Sequence, residues 1–133
     1  MLARREHSRQ ELERKLAPLT ENPDEIPPLL DDFERRGWLS EARVVEQTVA
    51  VRRARFGSAH IVHELRAKGV SESAVAAAES QLKASELDAA RAIWRKKFGS
   101  APSNPRDKAR QMRFLQGRGF SFDVIRRVLS DAD

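Results

Sequence analysis

Two phrases occur twice in this chain, in the same order. Arg52-Arg53-Ala54-Arg55-Phe56-Gly57-Ser58 is followed by Leu65-Arg66-Ala67-Lys68-Gly69-Val70-Ser71. Trp94-Arg95-Lys96-Lys97-Phe98-Gly99-Ser100 is followed by Leu115-Gln116-Gly117-Arg118-Gly119-Phe120-Ser121. Each phrase reads as basic residues, an apolar anchor, a glycine and then a serine. That order predicts a helix end, a left-handed glycine cap and the start of the next helix. A chain that repeats its punctuation is built from repeated units, each burying its apolar face partly on its neighbours.

The rest of the sequence reads as helix, without the alternating β-branched runs of strands. Ser8 with Glu11 forms a capping box before Leu12 and Leu16, and Pro18 stops that helix. Asn22-Pro23-Asp24-Glu25 opens a second helix, whose start Pro27 and Pro28 hold back, with Leu29, Leu30 and Phe33 as its buried stripe. Gly37 ends it, and Trp38 is placed as the apolar contact of the glycine cap. Ser40 caps a helix reaching Phe56, and Gly57-Ser58 turns into a short helix with Ile61, Val62 and Leu65. Ser71 caps a helix through Leu82. Ser85 with Asp88 reads as another capping box, opening a helix with Ala90, Trp94 and Phe98. Asn104-Pro105 opens the next, and Ser121 caps the last, with Ile125, Val128 and Leu129.

Spacing supports a repeated unit of three helices. Leu65 to Leu115 is 50 residues and Leu12 to Leu65 is 53, whereas Phe56 to Phe98 is 42. The last unit therefore carries an inserted loop around Ser100-Ala101-Pro102-Ser103-Asn104-Pro105. The expected fold is all-α: three tandem three-helix repeats in an elongated curved array, over residues 1–39, 40–84 and 85–133. Only a stub, Leu2 to His7, stands where the first repeat should have its first helix, as expected of a chain cut or started late.

Of the 133 residues, 40% are hydrophobic, largely Ala and Val, so the core is expected to be thin. There is no Cys, hence no disulfide framework and no thiolate metal site. No apolar run is long enough for a membrane span and no secretory signal pattern is present, which fits a cytoplasmic protein.

Charge is distributed unevenly. The net charge is +5 and the isoelectric point about 10.2, with 34% charged residues. Residues 21–34 carry Glu21, Asp24, Glu25, Asp31, Asp32 and Glu34 with no basic residue, whereas 106–118 carry Arg106, Lys108, Arg110, Arg113 and Arg118 against Asp107 alone. Cations also close the two long helices, at Arg52, Arg53 and Arg55 and at Arg95, Lys96 and Lys97. There they can oppose the helix dipole, about 0.3–1 kcal/mol each, or contact phosphates or carboxylates as a repeated basic ridge. Arg106, Arg110 and Arg113 share one helix face, a stripe that calls for an anionic neighbour or an outside partner.

Catalytic chemistry has no visible home. His60, His63 and Glu64 share a helical turn but lack a third histidine, a Cys or a second ligand cluster. Ser8 is a cap rather than a nucleophile, and the glycines mark helix ends rather than a phosphate loop. Leu65 to Val75 has the outline of a helix-turn-helix, but its second helix is acidic and small where base recognition needs Arg, Lys, Asn or Gln. The last helix, with Arg126 and Arg127, is the better candidate. The expectation is a protein that is not an enzyme and needs no cofactor.

Taken in order, Arg5-Glu6-His7-Ser8, Glu11-Leu12, Lys15-Leu16, Gly37-Trp38-Leu39-Ser40-Glu41-Ala42-Arg43, Phe56-Gly57, Ile61, Glu64-Leu65-Arg66-Ala67-Lys68-Gly69-Val70, Ala90-Arg91, Lys97-Phe98-Gly99 and Phe114-Leu115-Gln116-Gly117-Arg118-Gly119-Phe120 resemble the RecX family. The resemblance spans essentially the whole chain and lies in the order and spacing of these segments. It implies three tandem three-helix units and a non-enzymatic regulator of the recombinase RecA. Such a regulator binds RecA filaments on single-stranded DNA, lies along their groove and suppresses ATP hydrolysis, strand exchange and the co-protease activity behind the SOS response. A monomer is expected, with possible direct contact to single-stranded DNA. The alternative from the residues is a helical domain that binds DNA through its basic ridge without regard to sequence.

Overall fold

A computed structural model describes residues 6–131 and contains eight α-helices and no strand among them. They are α1 (Arg9–Leu16), α2 (Ile26–Arg35), α3 (Glu41–Arg52), α4 (Ser58–Ala67), α5 (Glu72–Ala84), α6 (Glu86–Lys97), α7 (Pro105–Gly117) and α8 (Phe122–Asp131). Short 3-10 turns cover Ala17–Leu19 and Pro23–Glu25. Leu2 to Arg5 of the N-terminal stub lie outside the described residues.

The apolar side chains gather into three successive clusters. The first joins Ile26, Leu30 and Leu39 with Leu12, Leu16 and Phe33. The second is built on Val44, Ile61, Val62, Leu65, Val75 and Leu82 from α3, α4 and α5. The third is built on Ala90, Trp94, Leu115, Ile125 and Leu129 from α6, α7 and α8. Each cluster is small, as the Ala- and Val-rich composition dictates, so stability depends heavily on how one cluster meets the next.

Local chemistry explains most of the helix ends. Ser8 and Glu11 form the reciprocal capping box. The side chains of Ser40, Ser71 and Asn104 accept from main-chain N–H groups of the first turns of α3, α5 and α7. Gly37, Gly69, Gly99 and Gly119 all have positive φ and terminate helices, where a side chain would be strained.

Three local expectations are corrected. Gly57 is not a left-handed cap: its φ is −82° and it serves as the N-cap of α4. A Cβ at Gly57 would lie 2.5 Å from the carbonyl oxygen of Gly119, so close approach rather than dihedral freedom requires glycine there. The helix opened by Ser40 stops at Arg52, and Phe56 lies beyond a turn, because Phe56 packs against α4 rather than continuing α3. Ser85 caps nothing with its hydroxyl, which donates to Leu82 O and accepts from Arg53 instead. Trp38 does fold back as the apolar contact of the Gly37 cap: it donates its main-chain N–H to Phe33 O and its ring lies 5.6 Å from that of Phe33, while remaining 63% exposed. Leu39, next in the chain, is buried in the core. The second helix starts late, in line with the expected effect of Pro27 and Pro28: Asn22 caps the 3-10 turn, and α2 begins at Ile26.

Candidate nucleic-acid interface

The joint between the second and third clusters is formed by the repeated phrases themselves. Gly57 N donates to Arg118 O at 2.6 Å and Ala59 N donates to Gly119 O at 3.3 Å, so the start of α4 sits on the end of α7. Beside it, Glu86, only 5% exposed, accepts from Arg53 Nη1 at 2.9 Å and from the main-chain N–H and the hydroxyl of Ser58. Arg53 also donates to Leu82 O at 2.6 Å and Ser85 Oγ at 2.9 Å. A buried carboxylate with this many donors is satisfied, and it clamps the two clusters at a fixed angle.

This joint brings distant cations together. The turn after α3 supplies Arg55, α6 supplies Lys96 and Lys97, and the end of α7 supplies Arg118. With Ala54, Ile93 and Phe114 they line a cleft of about 300 Å³. Arg118 lies 4.9 Å above the Phe114 ring and 5.4 Å above Phe56; Lys97 lies 5.5 Å from Phe114 and Arg55 5.8 Å from Phe56. Arg118 Nη1 also donates to Arg55 O at 3.5 Å. Among the described residues none of these four cations forms an ion pair, and no carboxylate lines the cleft. The aromatic rings hold the charges in place while their polar ends stay open to an anion.

The other basic candidates are placed differently. Arg52 pairs with Glu64 at 2.9 Å and Arg53 with Glu86, so both are committed within the chain. Partial burial opposes ionisation of Glu64, but hydrogen bonds from Arg52 and Lys68 outweigh it and hold its carboxyl below the ordinary range. Arg110 pairs with Asp107 at 2.8 Å and lies 5.1 Å from the Phe98 ring. That bond, with the one from Ser103 N, depresses the Asp107 carboxyl. The stripe of Arg106, Arg110 and Arg113 thus has an in-chain carboxylate at its centre, while Arg106 and Arg113 stay exposed. Arg126 pairs with Asp123 at 2.8 Å; Arg95 and Arg127 are exposed and outside the cleft. His60 stacks on Phe56, with ring centroids 3.8 Å apart.

Sequence reasoning missed Phe56, Phe114 and Glu86 as parts of this region. Phe114 stands four residues from both Arg110 and Arg118, a helical spacing that could have revealed it. Glu86 gave no signal, because its partners are set by tertiary contact.

Residues 84–129 match the sequence profile described as the third three-helix domain of RecX. The chain is 52% identical over 132 residues to the regulatory protein RecX of Leptothrix cholodnii, covering 99% of this chain and 84% of that one. It is 43% identical to the regulatory protein RecX of Ralstonia nicotianae, covering 99% of this chain and 83% of the relative. This chain belongs to the RecX family. Its fold is that of a crystal structure of RecX from Lactobacillus salivarius, with a TM-score of 0.76 at 19% identity over 97% of this chain and 87% of that one. No helix among the described residues is long and apolar enough to cross a membrane.

Proposed function

We propose that this RecX-family chain is a non-enzymatic regulator that binds RecA filaments assembled on single-stranded DNA and lowers their ATPase, recombinase and co-protease activities. The observation that carries this reading is the cleft of Arg55, Lys96, Lys97 and Arg118, whose cations have no counter-charge among the described residues. Most arginines elsewhere are paired: Arg9, Arg35, Arg36, Arg43, Arg66 and Arg91 all meet carboxylates. An unpaired cluster at a rigid joint suits a polyanionic surface such as a nucleoprotein filament. The three clusters act as three units with boundaries 1–39, 40–84 and 85–133, strung so that successive units reach successive sites on a polymer. The cytoplasm is where such a partner is met.

A second reading is that the same cleft binds single-stranded DNA directly, with RecA irrelevant. The test compares affinity for naked strand and for strand coated with RecA. Tighter binding to the coated strand supports regulation of the filament; equal affinity makes the protein a DNA-binding domain.

A further inference from the structure

Helices α1, α4 and α7, one from each cluster, meet at their ends. The start of α4 rests on the last carbonyls of α7, as described. The start of α1 meets the end of α4 through side chains: Ser8 Oγ donates to Lys68 O, and Gln10 presses against Gly69. Each joint sets the first residues of one helix against the last carbonyls of another, so opposite partial charges meet there. Among the described residues two ends of this set have no such joint, the start of α7 and the end of α1.

The two ends are complementary. Beside the start of α7 lies a groove of about 560 Å³ walled by Pro102, Met112, Phe122 and Leu129, with Lys108 and Arg126 at its edge. Phe122 is 63% exposed there. Lys108 has no ion pair among the described residues; Arg126 has Asp123. Just beyond the end of α1, Leu19 is 80% exposed. Val70 follows Gly69 at the end of α4, and Phe120 follows Gly119 at the end of α7; both are buried, whereas Leu19 after Pro18 is not. Glu21, Asp24 and Glu25 follow Leu19 closely in the chain and are all exposed.

We infer that the acidic, leucine-bearing tip at Leu19 of one copy docks into the basic-edged groove at Phe122 of a second copy, extending this set of helices from molecule to molecule. The tip and the groove are different surfaces, so the contact is heterologous and leaves a free end on each side. It cannot reproduce the internal joints. Pro105 has no N–H, Asn104 already caps α7, and Pro18 stands where the other two helices have glycine. Apolar burial and opposite charge carry it without main-chain hydrogen bonds, so it is weak in free solution, sensitive to salt and favoured when copies are held side by side on a polymer.

The chain has no cysteine, which permits a direct test without RecA and therefore independent of its proposed role. Ala17→Cys and Ser130→Cys chains, each labelling one exposed end, are mixed with a short bis-maleimide at low salt. Cross-linked heterodimer is expected to form about tenfold faster than either homodimer, the size of a modest electrostatic steering effect. The excess should vanish in high salt, with Leu19→Asp in the Ala17→Cys chain, or with Phe122→Asp in the Ser130→Cys chain; both substituted side chains are exposed, so the fold is retained. Products in the statistical ratio, a dominant Ser130→Cys homodimer, or an excess that survives both aspartates would each overturn the inference.

Discussion

The main-chain nitrogen of Gly57 donates to the carbonyl of Arg118 at 2.6 Å across a joint between residues 61 positions apart, and no side chain fits between them. This contact makes two helical clusters act as one body and gathers the four cleft cations. Substituting Gly57→Ala places a methyl group against Gly119 O and the Phe120 ring. Overpacking of this kind costs about 2 kcal/mol, to be read as a lowered midpoint in thermal or urea unfolding. Gly117→Ala is the control: nothing lies within 4 Å of its added Cβ, and it is expected to stabilise α7 by about 0.5–1 kcal/mol.

Glu86 is the second element of the joint. Glu86→Ala removes the carboxylate partner of Arg53 and the acceptor for Ser58, leaving a largely buried guanidinium with only Leu82 O and Ser85 Oγ. The expected loss is about 3 kcal/mol by chemical denaturation. The double variant with Arg53→Met should recover part of it, because the uncompensated charge is gone. A Glu86→Ala chain as stable as wild type would show that the clamp does not hold the joint.

Acid pH acts on Glu64. Its folded pKa lies below its unfolded value of about 4.3, so the unfolded chain binds more protons there. Its contribution is present above the unfolded pKa and disappears as pH falls through the folded one. Arg52 is partly exposed, which limits the pair to under about 1 kcal/mol. Melting temperature followed from pH 6 to pH 3 should therefore fall less steeply in Glu64→Gln than in wild type.

Salt and charge separate the cleft from the α7 stripe. Arg55→Glu with Lys96→Glu alters exposed side chains and should weaken filament binding strongly while reducing its salt dependence by about one unit of slope per lost phosphate contact. Arg106→Glu with Arg113→Glu should do less, since these side chains lie outside the cleft. Equal losses would place the contact along the whole basic face.

The helices were legible because their ends carry local chemistry: Ser8 with Glu11, Asn104 with Pro105 and the four left-handed glycines each act within a few residues. The ridge of cations was legible as composition, but its division was not. Arg52 and Arg55 look alike in sequence; one faces Glu64 and the other an open cleft, a difference set by how α3 meets α4 and α6. Gly57 looks like punctuation in the sequence, whereas its reason is a carbonyl 62 residues away in the chain, Gly119 O. Long-range contacts of this kind leave no local pattern to read.

The most direct measurement is DNA-dependent ATP hydrolysis by RecA titrated with this protein and with its Arg55→Glu, Lys96→Glu variant. Inhibition by the wild-type chain and its loss in a variant that remains fully folded is the predicted result. An unchanged ATPase with the wild-type chain, or equal inhibition by the two, would contradict the account.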